Sequence, residues 1–180
     1  MIESLNAHGK AGVVVPHGVL FRGAAEGRIR TEILNEDILE AVVGLPSNLF
    51  FGTGIPAAII IFNREKKNKE KVLFIDASKD FVAGKNQNSL GENHINHIVE
   101  VFTDFHDNQK DAGIVEDKFA YIATLEEIKE NDYNLNIPRY VDTYEEEAEI
   151  DLTEVQQKIE QLQSELAEVQ KQMDEYLKLF

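Results

Sequence analysis

The chain of 180 residues contains no cysteine. That excludes a disulfide framework, a thiolate metal site and a thiol nucleophile, although it does not fix the redox compartment. No apolar run approaches the ~20 residues that span a bilayer. Residues Met1 to Asn6 carry no basic stretch leading into an apolar one, so no signal peptide is expected and a cytoplasmic, soluble protein is. No Gly-x-Ser-x-Gly, Walker loop or His-Glu-x-x-His occurs. His94 and His97, with Asp104 and His106 nearby, share a helical face, but nothing else supports a metal, and none is expected.

Positive charge is also scarce. Lys and Arg number 18 against 33 Asp and Glu, a formal net charge of −15. Residues 1–70 hold 8 basic and 8 acidic side chains, whereas residues 142–180 hold 3 and 12. A DNA backbone is repelled by the acidic end. Contact with DNA is therefore expected through the first third, where Arg22, Arg28 and Arg30 cluster among Glu26 and Glu32. The plainer reading of that cluster is a solvated helix face.

Gly12 to Val15, Ile38 to Leu45, Pro56 to Asn63 and Val72 to Ala77 read as strands, and Phe119 to Ala123 as a short fifth. The second and third are separated by a short, turn-rich linker, which favours an antiparallel pair. Ala24 to Asn35 reads as a helix with Ile29, Ile33 and Leu34 on one side, and Asn93 to Phe105 as another. Thr124 is the expected N-cap of a helix to Glu130, with Glu127 three residues on. Arg64 to Lys71 reads as a charged surface loop, and the Gly/Asn-rich stretch that follows Ala77, as far as Gly91, as a polar, mobile segment. Asn134 to Asp142 is expected to be extended around Pro138.

Leu152, Val155, Ile159, Leu162, Leu166, Val169, Met173, Tyr176 and Phe180 follow a strict 3-4 spacing. Such a stripe calls for a partner helix, since a lone helix leaves it in water. The expected organisation is thus an α/β domain over 1–142, an acidic linker over 143–150 and an amphipathic heptad helix over 151–180.

The most informative stretch is Phe50-Phe51-Gly52-Thr53-Gly54, leading through Ile55-Pro56 into a strand. A phosphate-cradling glycine loop follows a strand and opens a helix; this one opens a strand. Its glycines suit close approach of another backbone or of nucleic acid. Enzymes that modify a base in duplex DNA flip it out, and stacking on an aromatic ring is worth about 1–3 kcal/mol per base. Two adjacent Phe residues, taken alone, are more often core.

Three segments together carry a resemblance. They are Gly12 to Arg30; Glu40 to Asn63, with Gly44-Leu45-Pro46 and Phe51-Gly52-Thr53-Gly54-Ile55-Pro56; and Asn131 to Glu147, with Asn134-Leu135-Asn136-Ile137-Pro138-Arg139-Tyr140. They resemble the back half of an adenine-N6 DNA methyltransferase, specifically the methyltransferase subunit of type I restriction-modification systems. The resemblance implies the C-terminal part of a Rossmann-like methyltransferase sheet, incomplete, followed by a long coiled-coil-type helix. It implies methyl transfer from S-adenosylmethionine to adenine in DNA by the complete enzyme. It places Phe50 against the flipped adenine, with Phe51, Gly52, Thr53 and Gly54 completing the wall. It sets Pro16 and His17 at the carboxyl end of a central strand, facing DNA or cofactor. It gives the heptad helix the role of docking on a specificity subunit.

The family's cofactor loop and its Asn-Pro-Pro-aromatic tetrapeptide do not occur in these 180 residues. Asn136-Ile137-Pro138-Arg139-Tyr140 departs from that tetrapeptide at two positions and reads as a structural turn. The expectation is a chain that binds no S-adenosylmethionine and methylates nothing alone, and that pairs with a missing N-terminal half of the domain or dimerises. The competing expectation is an inert interaction module that docks through its last helix.

Overall fold

The computed structural model describes residues 2–143 and, beyond them, positions 156, 158, 159, 161–166, 169, 170 and 173. The chain divides into two compact units, Met1–Tyr144 and Glu145–Phe180. In the first, a mixed six-stranded sheet runs in the order β1-β3-β2-β4-β6-β5. The strands are β1 (Lys10–Pro16), β2 (Leu39–Gly44), β3 (Ala57–Asn63), β4 (Lys71–Asp76), β5 (Gly113–Glu116) and β6 (Ala120–Thr124). β3 lies antiparallel to both β1 and β2, as their short linker demands, and β2 runs parallel to β4. β6 is antiparallel to β4 and to β5.

Burial explains this order. All six residues of β2 are buried, so it sits centrally and shows no alternation. On one face Val42 and Phe74 of the sheet pack against Leu34 of α1 (Ala24–Asn35), Ile128 of α3 (Leu125–Glu130) and Ile137 of the 135–141 segment. On the other, Val43, Leu45, Leu73 and Ile75 pack in one cluster with Phe105 of α2 (Glu92–Asp107). Thr124 Oγ1 accepts the Glu127 amide at 3.1 Å and caps α3 as expected, while the Glu127 carboxylate takes the Tyr121 hydroxyl.

Several expectations need correction. The sheet gains a strand, β5, absent from the sequence reading. β1 is an edge strand among the described residues, so Pro16 and His17 end an edge strand and not a central one. Ile29 is exposed; Arg30 turns inward instead, donating from Nη1 to the Val19 carbonyl (2.8 Å) and from Nε to that of Tyr133 (3.2 Å). Only Arg22 and Arg28 of the expected basic cluster remain outward, and Arg22 lies 3.9 Å from Glu26.

The charged loop 64–71 is no mere surface loop either. Lys66 is 2% exposed, and its ammonium donates to the carbonyls of Leu39 and Lys71, both at 2.9 Å, and pairs with Asp37. Burial pulls its pKa down and the Asp37 contact opposes that. Asn68 donates to the carbonyls of Phe105 and Asn108 and accepts from the Lys110 amide, so it fastens the end of α2. Residues 78–91 are pinned by a two-way bridge between Val82 and Ser89. Around Pro138 the chain forms a 3-10 turn (Ile137–Arg139) rather than an extended run, because Ile137 and Tyr140 both turn into the core.

In the second unit the described residues between 156 and 173 are helical. Ile159, Leu162, Leu166, Val169 and Met173 are exposed. Leu152, Val155, Tyr176 and Phe180 lie outside the described residues.

Candidate target-base loop

The carboxyl ends of β1, β2 and β4 and the start of β3 meet at one end of the sheet. The chain leaves β2 at Gly44 and returns at Ala57, and the Phe-Phe-Gly-Thr-Gly loop is the excursion between. Its geometry follows from its residues. Asn48 adopts a left-handed φ of +55°, which its short polar side chain tolerates. Gly52 takes φ +77°, which favours glycine there. Thr53 Oγ1 accepts the Ile55 amide at 3.1 Å, a side-chain turn that redirects the chain toward β3. Leu45 and His17 are tied to the far arm through the carbonyls of Ala57 (2.9 Å) and Pro56 (3.1 Å).

The loop folds over the carboxyl end of β1. Between them lies a pocket of about 260 Å³ lined by Val14, Pro16, Phe50, Thr53, Ile55 and Pro56 among others. Phe50, Thr53 and Pro16 are thus brought together. Phe50 is 43% exposed, one side on the pocket and the other open. Phe51 is 91% exposed and is not part of the pocket lining. His17 also stays outside the lining. Its ring meets Phe21 edge-on at 5.8 Å. Burial lowers its pKa, and the negative charge of Asp76 at the end of β4 pulls partly the other way.

No titratable side chain lines the pocket. It offers a mainly apolar surface, suited to stacking, with no titratable group to move a proton and Thr53 as its one polar side chain.

The remaining candidates are placed elsewhere. His94 Nδ1 accepts the Gly91 amide, His97 pairs with Glu116 at 2.9 Å, and His106 pairs with buried Glu40 at 2.7 Å. Each has its own partner, and no group of three His, Cys, Asp or Glu that could hold a metal occurs among the described residues. Asn136 to Tyr140 is structural: the Tyr140 ring stacks on Phe74 at 4.0 Å, and its hydroxyl donates to the Asn134 carbonyl. Burial drives that hydroxyl's pKa up. What sequence reasoning missed is the support behind the loop, where Gln87 and Asn88 reach three successive carbonyls before Phe50.

Residues 1–149 match the N-6 DNA methylase family. The chain belongs to that family. It is 37% identical over 164 residues to the type I restriction enzyme MjaVIII methylase subunit of Methanocaldococcus jannaschii, covering 88% of this chain and 27% of the relative. It is 39% identical over 150 residues to the HindI methylase subunit of Haemophilus influenzae, covering 82% of this chain and 33% of that one. Among solved structures, the methyltransferase subunit of a Streptococcus thermophilus type I restriction-modification system superposes with a TM-score of 0.67 at 51% identity, over 76% of this chain and 27% of that one. The EcoKI M protein shares the fold, with a TM-score of 0.62 at 18% identity over 96% of this chain and 42% of that one. The chain therefore spans about a quarter to a third of the length of the curated relatives it matches. No helix among the described residues is long and apolar enough to cross a membrane.

Proposed function

We propose that this N-6 DNA methylase chain is part of the methyltransferase subunit of a type I restriction-modification system, and that it supplies one wall of the target-adenine site. In this reading Phe50 carries the stack, with Thr53, Gly52, Gly54 and Pro16 shaping the wall around it. Phe51 and His17 stand further out, toward DNA. The observation that carries the reading is a half-exposed ring held over a mainly apolar pocket that has no titratable group of its own. Such a surface holds a base without processing it. The S-adenosylmethionine loop and the Asn-Pro-Pro-aromatic acceptor for the adenine amine then come from polypeptide outside these 180 residues.

The unpaired edge of β1 supports the same division. Among the described residues no strand pairs with that edge; alternate residues of the seven-residue strand, Val14 among them, turn their backbone groups away from β3, and Val14 is exposed. A sheet edge of that length invites another strand. The rest of the methyltransferase domain, which the relatives' greater length supplies, is the partner proposed for it; a second copy of this chain is the alternative.

The exposed, helical run of Ile159, Leu162, Leu166, Val169 and Met173 supports docking on a specificity subunit, with Leu152, Val155 and Tyr176 extending the stripe in sequence. It would equally serve an inert interaction module, which is the second reading.

The test is methyl transfer from labelled S-adenosylmethionine to adenine in DNA. The chain alone is expected to be inactive and to bind no cofactor. Combined with the remainder of the subunit and a specificity subunit it is expected to be active. Phe50→Ala should then lower the rate roughly 10–100-fold, the equivalent of one lost base stack of about 1–3 kcal/mol. Methyl transfer by the isolated chain, or an undiminished Phe50→Ala enzyme, would sink the proposal.

A further inference from the structure

The stretch from Ala77 to Gly91 belongs to no strand or helix, yet it reaches back to the target-base loop. The Asn88 amide donates to the Asn48 carbonyl at 2.9 Å, and the Asn88 side chain donates to the Ser47 carbonyl at 3.0 Å. The Gln87 side chain donates to the Leu49 carbonyl at 2.5 Å. Three consecutive carbonyls, those immediately before Phe50, are thus held from one side.

Both arms of this clamp are anchored. Val82 and Ser89 exchange two backbone hydrogen bonds, of 2.8 and 3.0 Å, which close the stretch into a small loop. Leu90 beyond it and Leu49 on the target-base loop pack on the same hydrophobic cluster beneath α2. Gly84 makes the reversal possible: a Cβ there would sit 2.1 Å from the Gln87 carbonyl oxygen. Beyond the Leu45–Ala57 and His17–Pro56 backbone bonds at its base, the first arm of the loop carrying Phe50 is held by these contacts.

We infer that Gln87 and Asn88 are positioning residues that set the angle at which Phe50 meets the target base. This rests on the reading of Phe50 given above. Neither side chain lines the Phe50 pocket, and neither is proposed to touch substrate or cofactor. A displacement near 1 Å at a reacting centre can cost about a hundredfold in rate, so a partial loosening is expected to cost about tenfold.

The variant is Gln87→Met with Asn88→Leu, near-isosteric, neutral, and stripped of both side-chain donors while the Asn88 backbone bond survives. It is tested in the complete methylase complex, with kcat measured on DNA that carries adenine at the target position and unstacking read separately from the emission of DNA with 2-aminopurine in its place. The expected result is a kcat lowered about tenfold, altered target-base emission and an unchanged KM for S-adenosylmethionine. Wild-type kcat and emission in the variant would overturn the inference. A second readout is independent of the enzyme: amide hydrogen exchange from Phe50 to Gly54 in the 180-residue chain. It should quicken in the variant while exchange in β2 and β4 stays unchanged. If wild-type protein gave no emission change and Phe50→Ala had no effect, the reading of Phe50 would fall. The exchange result alone would then decide whether the clamp holds the loop, and equal exchange rates would overturn that too.

Discussion

Replacing Gly44 by alanine tests the coupling between the strand that launches the target-base loop and the segment that leaves the domain. A Cβ on Gly44 would lie 2.7 Å from Ile137 Cδ1, and 3.6 Å from the Ile75 carbonyl oxygen, an ordinary contact. Gly44 has no positive φ, so alanine suits its backbone and should by itself stabilise by about 0.4–1 kcal/mol through the unfolded state. The collision opposes this. Ile137, in the 135–141 segment, is 1% exposed and packed in the core cluster, so its methyl must move within packed surroundings. Overpacking of such a site costs about 1–3 kcal/mol, so the overpacking term wins and Gly44→Ala should destabilise by about 0.5–2 kcal/mol. Ile137→Val removes the very methyl that collides and alone should cost about 0.5–1.5 kcal/mol. Together the two changes should be less damaging than their sum, with a favourable coupling of about 1 kcal/mol or more. Urea unfolding of the wild type, both single variants and the double variant, followed by circular dichroism, gives all four corners of the cycle. Strict additivity, or a Gly44→Ala protein as stable as the wild type, would refute the contact and with it the argument that the 135–141 turn clamps the end of β2.

Asn68→Ala removes two donors and one acceptor that hold the Phe105 and Asn108 carbonyls and the Lys110 amide. At ~0.5–1.5 kcal/mol per bond it should destabilise by about 2–3 kcal/mol and open the last turn of α2 first, which native-state hydrogen exchange would resolve from global unfolding. His17 should titrate below the ordinary histidine value of 6.5, because burial outweighs the pull of Asp76. Stability tied to its neutral ring is complete above that value and is lost as pH falls from it through the folded-state midpoint. Asp76→Asn should push the midpoint lower still; a nuclear magnetic resonance titration showing it unchanged or raised would contradict the assignment.

Long segments with one dominant period were legible from sequence. β3 is a continuous apolar run, and β2 is one but for Glu40, both bounded by turn residues, so local pattern and final environment agree there. Ile95, Ile98, Val99 and Phe102 mark α2 by their helical spacing, but only Ile98 and Phe102 pack on the sheet, with Val101 and Phe105, while Ile95 and Val99 are exposed. β5 was not legible because four residues with Ile114 outward and Glu116 paired to His97 resemble any polar loop; β6 is what makes them a strand. The edge position of β1 follows from the sheet's order and not from its own residues. The inward turn of Lys66 was hidden by its neighbours, since Glu65, Lys67, Lys69 and Glu70 make the run look uniformly solvated. For the site, the glycine-aromatic loop and its strand were readable, because Gly52 and Thr53 act locally. The Gln87 and Asn88 contacts were not, since each links residues about 40 positions apart and leaves no periodic trace.

The two ends of the sheet are built from opposite materials, and this bears on how the target-base loop is held. At the end away from the loop, Glu40 is 1% exposed and accepts from Asn63 Nδ2 at 3.1 Å and from His106 Nδ1 at 2.7 Å. Lys10 Nζ lies 2.9 Å from His106 Nε2. An ammonium only donates, so Nε2 is the acceptor and the ring proton sits on Nδ1, directed at Glu40. With the Lys66 and Asn68 contacts, this network joins β1, β2, β3 and α2. Leaving buried Glu40, Asn63, Lys66 or Asn68 without its partners would cost about 1–3 kcal/mol. At the loop end the holding contacts are backbone carbonyls taken by exposed or half-buried side chains, each replaceable by water. Hydrogen bonds of that kind contribute little to stability, so they are better explained by the geometry they impose than by the energy they add. A sheet locked at one end and lightly guyed at the other leaves the Phe50 ring defined in position yet free to yield, which fits the role proposed for it in holding a flipped base.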